Sequence, residues 1–472
     1  MAEDLIYLSA LELLDCYRAR TLSPVEVTMA VLERVAAVDS AVNAFCLVDG
    51  DGALAAAKAS EERWSRGAPV GFIDGVPTTI KDLNLTRGWP TLRGSRTVDP
   101  DQEWDEDAPV VARLREHGAV LIGKTTTPEF GWKGLTDNPL TGITRNPWNL
   151  AMTPGGSSGG AAVAAMTGMG ALHVGSDGGG SIRIPSGFTG NFGLKPSYGR
   201  VPAYPSSPFG TVSHVGPMTR TVAEAALMLG VIARPDSRDW FSLPYQETDY
   251  VAALDGGIAG LKIAFSPDLG YATVDPEIVA CVTAAVGRLA ELGAVVETVD
   301  PGFACPDAVF NVLWKAGAHN GLKHLNADQK ALLEPALAAL VGQGAELTLA
   351  DFQDATTART ALGAHMKQFH DRFDLLVTPS LAVTAFEVGK LAPDDYPGIP
   401  DGETNRWIYW TPFSYPFNMT QQPACSVPCG FSSAGLPIGL QIVGPMHRDD
   451  MVLRAAHAYE GADPVYRRHP DV

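Results

Sequence analysis

A chain of 472 residues, 46% of them hydrophobic, can bury a large core, and its length alone suggests two or three domains. With 35 basic against 53 acidic residues the net charge is −18, so long-range repulsion disfavours nucleic acids and anionic membrane surfaces as partners. The longest apolar stretches, such as residues 163–174, are broken by Gly and fall short of a bilayer of about 30 Å.

Residues 1–14 carry Glu3 and Asp4 where a secretory leader carries Lys or Arg, and no apolar segment with a small-residue cleavage site follows, which points to the cytoplasm. Six cysteines are sparse for this length and fit reduced thiols better than a disulfide framework. Cys425 and Cys429 have no second Cys/His pair at ligand spacing, so no metal is expected.

Residues 8–65 read as helices. Leu11, Leu13 and Leu14, then Val25, Val27, Val31, Leu32 and Val35, recur at helical spacing, and residues 53–59 are Ala-rich. Ser23 is placed to cap a helix that starts at Pro24. From Gly71 the texture changes to short apolar runs cut by Gly and Pro: residues 75–80, 120–122 and 171–174 read as buried strands. Residues 108–117 read as a helix closed by Gly118. The alternation resumes with strands at 262–265, 295–299 and 375–377 and an amphipathic helix at 277–292 ended by Gly293. Residues 300–365 look mainly helical, and 392–405 form a Pro/Gly/Asp-rich loop. Alternating strands and helices argue for an α/β layer fold, and no linker divides it, so one large domain is expected over residues 1–472.

Two segments concentrate Gly beside Ser: PGGSSGG at 154–160 and DGGGSIRIP at 177–185. Such runs let backbone approach a substrate and aim N–H groups into a cavity, although either alone reads more readily as a tight turn. The Ala-rich run 161–170 between them reads as a small-residue helix that fixes one loop against the other. Upstream, GVPTTIKD at 75–82 puts Lys81 at the end of an apolar strand, where desolvation lowers an ammonium pKa and a neutral lysine can serve as a base.

These three segments, in this order and continued by SHVGPMTRTVAEAALML (213–229) and QPACSVPCGFSSAGLPIGLQIVGP (422–445), resemble the amidase signature enzymes. The resemblance covers most of the chain and implies an open, twisted, mixed β-sheet covered by helices on both faces. It implies N-terminal helices over 1–65, a signature core over 70–230 and a variable substrate-pocket region over 300–420. It makes Lys81 the base, Ser157 a bridging serine after a cis peptide, and Ser181 the nucleophile, with the N–H groups of Gly178, Gly179, Gly180 and Ser181 as oxyanion donors. Gly178 departs from the larger residue many members carry there. Ser158, Asp177 and Arg183 match positions that support the loop. Phe130, Gly131, Trp132, Trp314 and Trp410 are expected in the substrate pocket, and Trp407, Tyr409 and Phe413 lie in the same variable region or in ordinary core.

The activity implied is hydrolysis of small or aryl amides, with esters and carbamates open, and no cofactor. The amidase-like subunit of a tRNA-dependent amidotransferase and an inactive scaffold are the alternatives. The run 127–142 looks more like stand-alone bacterial amidases, and a homodimer stays open. Two other motifs are read as accidental. Residues 118–125 (GAVLIGKT) match a phosphate-binding pattern, yet their apolar centre is strand-like and commits its N–H groups to a sheet. GGSSG at 155–159 matches a nucleophile elbow, but the approach NPWNLAMTP is loop chemistry, and His447 and His457 fall in a turn and a helix.

Overall fold

The computed structural model describes residues 5–472; residues 1–4, with Glu3 and Asp4, lie outside the described residues. Ser9 and Ser23 each form a reciprocal capping box, with Glu12 and Glu26, at the starts of helices α1 (Ala10–Ala19) and α2 (Pro24–Val42). Asn43, left-handed at φ 54°, ends α2, and Asp49 caps α3 (Gly50–Ser65). Between these two punctuation points Phe45–Val48 forms strand β1, so the expected unbroken helical region is interrupted by an edge strand. Four residues of aromatic and branched character are too few to register as a period, and pairing with β3 decides their conformation.

The other strands of the main sheet follow in chain order: β2 (Pro77–Lys81), β3 (Val120–Thr125), β4 (Leu172–Asp177), β5 (Phe192–Lys195), β6 (His214–Thr219), β7 (Lys262–Phe265), β8 (Val295–Thr298), β9 (Leu375–Pro379), β10 (Ala424–Phe431) and β11 (Pro437–Val443). All join one 11-stranded sheet in the order β1-β3-β2-β4-β6-β5-β10-β11-β9-β7-β8. Parallel wings, β3-β2-β4 and β9-β7-β8, flank a centre of antiparallel pairs from β4 through β6, β5, β10 and β11 to β9. The sheet is mixed, and strands from both halves of the chain interleave in it.

Helices α4 (Pro109–Glu116), α5 (Gly159–Met166), α6 (Arg183–Thr189), α7 (Val222–Ile232), α8 (Pro276–Glu291), α9 (Asp307–Leu322), α10 (Pro335–Ala345), α11 (Leu349–Phe369) and α12 (Asp449–Ala462) are the other α-helices longer than four residues among the described residues. They cover both faces, and alternation along the strands shows it. Leu375 and Val377 join Leu229 of α7, Val282 of α8 and Val452 of α12 in one core, whereas Leu376 joins Phe310 of α9, Leu340 of α10 and Met366 of α11 in the other. In the N-terminal wing Leu121 packs with Val110 and Leu114 of α4, while Val120 and Ile122 pack with Val31 and Val35 of α2 and Val163 of α5. β2 is buried along its whole length, as a central parallel strand with both faces covered must be. That burial carries the Lys81 side chain into the protein.

Among the described residues no helix is long and apolar enough to cross a membrane. The GAVLIGKT segment is strand β3, with Lys124 buried 3.2 Å from Asp82 Oδ1, so its lysine and its N–H groups are already committed. Residues 153–158 ahead of α5 form no strand, which removes the context an elbow serine requires. His447 stands at φ 67° in the turn before α12, and His457 lies on α12 itself.

Candidate active site

The C-terminal end of β2, the loop entering α5 and the loop between β4 and α6 converge on one point. Lys81 Nζ lies 2.7 Å from Ser157 Oγ, 2.8 Å from Ser158 Oγ and 3.0 Å from Ser176 Oγ, with the Ser176 carbonyl at 3.4 Å. No carboxylate stands within ion-pair distance of it among the described residues. Burial drives the Lys81 pKa well below the ordinary lysine value, and the Asp177 charge opposes that only in part. Ser157 and Ser158 immediately precede α5, whose partial positive end further disfavours an ammonium there. The Gly156–Ser157 peptide is cis.

Ser181 leaves the other loop. Its carbonyl accepts the Ser158 N–H at 3.1 Å, joining the two Gly/Ser segments, and its hydroxyl bonds no other group among the described residues. Ser157 and Ser181 both open on a cavity of about 520 Å³.

Asp177 and Arg183 form the frame of the serine loop. Arg183 Nη2 and Nε each lie 3.0 Å from an Asp177 carboxylate oxygen, and both side chains are fully buried. Asp177 also accepts from the backbone of Gly180 at 2.7 Å and Ile182 at 3.1 Å, and from Asn418 Nδ2 at 2.8 Å. Burial alone would raise its pKa, but the Arg183 guanidinium and these donors outweigh it and hold the carboxyl well below the usual range. The remaining Arg183 donors reach the Ser414 carbonyl, Gln441 Oε1 and Asn418 Oδ1 at 2.9, 2.8 and 2.6 Å, so the buried cation is fully bonded.

The structure corrects two expectations. The Gly180 N–H is spent on Asp177, so of the four N–H groups expected to face an oxyanion only those of Gly178, Gly179 and Ser181 are without a partner among the described residues. Trp410 does not line the cavity: it is fully buried, stacked 5.6 Å from Phe188, and bonded through Nε1 to the Leu391 carbonyl. Trp407 and Phe413 are likewise core, Trp407 pressing behind the glycine loop, where a Cβ on Gly179 would meet it at 2.7 Å. Phe130, Gly131, Trp132 and Trp314 do line the cavity, with Trp314 stacked on Phe209 at 4.0 Å. Trp314 occupies the space beside Gly178, and its Nε1 donates to the Trp132 carbonyl at 2.9 Å.

Sequence reasoning missed several lining groups, of which Asn84, Arg93 and the loop from Tyr204 to Phe209, which contains a cis Tyr204–Pro205 bond, carried no readable signal. Ser176 was readable in principle, as the β4 residue just ahead of the Asp-Gly-Gly-Gly-Ser turn. Asn418, Gln441 and Ser414 were not, since they reach the site only through the fold. Cys425 is buried in β10, and Cys429 Sγ lies 3.9 Å from Cys281 Sγ; among the described residues no cluster of metal-ligating side chains occurs.

A mixed sheet covered on both faces, with a buried lysine clasped by serine hydroxyls at the edge of a cavity, defines an α/β layer protein with a candidate site for nucleophilic chemistry. The chain belongs to the amidase family, whose model, described as Amidase, matches residues 26–453. It is 38% identical over 471 residues to an acylamidase of Rhodococcus erythropolis, an alignment that covers 99% of this chain and 98% of that protein. It is 34% identical over 498 residues to a glutamyl-tRNA(Gln) amidotransferase subunit of Moorella thermoacetica, covering 99% of each. Among solved structures, a bacterial aryl acylamidase of the amidase signature family aligns with a TM-score of 0.90 at 32% identity over 97% of both chains.

Proposed function

We propose that the chain cleaves the C–N bond of small carboxylic amides, aryl amides among them, through an acyl-enzyme on Ser181. The observation that carries this reading is the Lys81 amine, buried without a counter-ion and 2.7 Å from Ser157 Oγ. Burial without a counter-ion disfavours the ammonium form of a lysine so placed and favours the amine, whose lone pair can take a proton. Lys81 draws the Ser157 proton, Ser157 draws that of Ser181, and Ser181 Oγ attacks the carbonyl carbon. The free N–H groups of Gly178, Gly179 and Ser181 receive the oxyanion, each such donor being worth about 100- to 1,000-fold in rate. Ser157 then protonates the leaving amine, and water hydrolyses the ester through the same relay.

The aromatic walls, Phe130, Trp132, Phe209 and Trp314, suit an aryl group on the substrate. We place the protein in the cytoplasm, where its six cysteines, all free, stay thiols. The test is mass spectrometry of enzyme quenched during turnover of an acyl anilide. An acyl adduct on Ser181, absent from a folded Ser181→Ala variant that releases no aniline, is the expected result. Turnover only with added partner subunits and ATP would replace this reading by that of an amidotransferase component.

A further inference from the structure

Arg93 takes no part in the relay, yet it is the one Lys or Arg side chain among the residues lining the cavity that holds Ser157 and Ser181. Its backbone is pinned from two sides. The N–H groups of Arg93 and Gly94 lie beside the Asp82 carboxylate, next in sequence to Lys81. The Arg93 carbonyl accepts the Phe130 N–H at 2.8 Å, and Phe130 precedes Gly131, where a Cβ would stand 3.4 Å from Ser157 Oγ. Arg93 holds the left-handed conformation at φ 56°, a state a residue with a side chain adopts only when its surroundings impose it.

The guanidinium at the end of this braced segment has no ion-pair partner and makes no hydrogen bond among the described residues, and the residue is only partly exposed. The carboxylate whose charge acts on Arg93, Asp82, is engaged by Lys124. Asp99 and His324, the acidic and imidazole groups on the cavity wall, are exposed and form no ion pair. Arg183, the arginine that frames the serine loop, is by contrast saturated. A partly desolvated cation left without a partner costs free energy that a planar anion in the cavity would recover through paired N–H···O bonds. In a chain of net charge −18 this spot also runs against the overall field, so it does not arise from a generally basic surface.

We propose that Arg93 is a specificity-determining residue that binds a carboxylate carried by the amide substrate, away from the scissile bond. One guanidinium matches a monoanion, and the aromatic walls accommodate the carbon framework between carboxylate and amide. Arg93 contributes binding energy in substrate and transition state alike, so its effect falls mainly on KM.

This inference rests on the amide-hydrolase reading, and the experiment separates the two. Turnover is measured for an N-acyl aminobenzoate and for its methyl ester, alike except for the charge. The wild type favours the acid in kcat/KM, and Arg93→Gln reduces that preference by on the order of 10- to 100-fold, the worth of a charge-assisted hydrogen bond. Arg93→Lys, a cation without the planar fork, retains part of it. Benzoate should inhibit the wild type competitively and lose affinity for Arg93→Gln. An unchanged acid-to-ester ratio in Arg93→Gln, or equal losses on both substrates, would overturn the proposal and leave Arg93 a structural residue. If neither substrate is cleaved, the amide-hydrolase reading fails, and direct titration of benzoate against both proteins still decides whether Arg93 binds a carboxylate.

Discussion

The Gly180 N–H donates to Asp177 Oδ1 at 2.7 Å, so the loop that carries Ser181 is tied back to the last residue of the strand it leaves. Asp177 thereby serves both the loop and the buried Arg183, and Asp177→Asn removes the charge Arg183 depends on. We expect a loss of about 3–5 kcal/mol in stability, the usual cost of breaking a buried pair from one side. Because the folded-state pKa of Asp177 is depressed, its contribution is present above the unfolded value of about 3.9 and is lost as pH falls below it. Denaturant unfolding of both proteins from pH 3 to 7 checks this: the variant should be weaker at neutral pH and should lose less on acidification.

Lys81 gives a slope of the same sign in a higher pH window. Its folded-state pKa is lowered, so between that depressed value and the ordinary lysine value of about 10.4 the unfolded chain binds a proton that the folded site has released, and stability rises with pH across that window. Activity should rise over the same direction, through the depressed pKa, as the amine becomes neutral. Lys81→Met is expected to abolish turnover while unfolding at no lower a denaturant concentration than the wild type at pH 7. A pH-independent rate with chemistry limiting would remove Lys81 from the relay.

The elements readable in the sequence were those with local causes. Ser23 with Pro24 gave the start of α2, the run from Lys262 to Phe265 gave β7 residue for residue, and the Gly/Ser runs marked the loops that carry Ser157, bonded to Lys81, and Ser181, on the same cavity. β6 and β10 were legible only as family motifs, since Gly216 and Pro217 sit inside the first and Pro428 adjoins a register shift in the second. Arg183 is held by residues 231 to 258 positions away, for which no window of sequence offers a signal. The same holds for Trp410, whose place beside Phe188 and Phe386 was set by tertiary packing, and for Arg93, an isolated basic residue until the cavity forms around it.

The three glycines of the serine loop differ in what surrounds them. A Cβ on Gly178 would meet the Trp314 ring at 3.1 Å, one on Gly179 would meet Phe310 and Trp407 at 2.7 Å, and one on Gly180, at φ 126°, would meet Ser414 at 2.5 Å. Alanine should therefore cost least at position 178, about 1–3 kcal/mol at 179 through overpacking, and most at 180, where backbone strain adds to the clash. Thermal unfolding of the three variants checks the ranking. Equal tolerance at all three would mean that the aromatic cluster behind the loop yields easily.

The two-step mechanism links Ser157 to the leaving group. An amine is a poor leaving group unless protonated as it departs, whereas an alkoxide or phenoxide needs less help, so removing the proton carrier should harm amide cleavage more than ester cleavage. In Ser157→Ala, Lys81 keeps the Ser158 and Ser176 hydroxyls at 2.8 and 3.0 Å, so its position and neutrality should survive the change. The expected outcome is a loss of kcat/KM on an acyl anilide at least tenfold greater than on a phenyl ester of the same acid, about 1.4 kcal/mol of differential transition-state stabilisation. Parallel kinetics on the matched pair, with the acyl-Ser181 adduct followed by mass spectrometry, reads it directly. Equal losses on both substrates would confine Ser157 to holding Lys81 in place, and Ser181 would then have to pass its proton along another path.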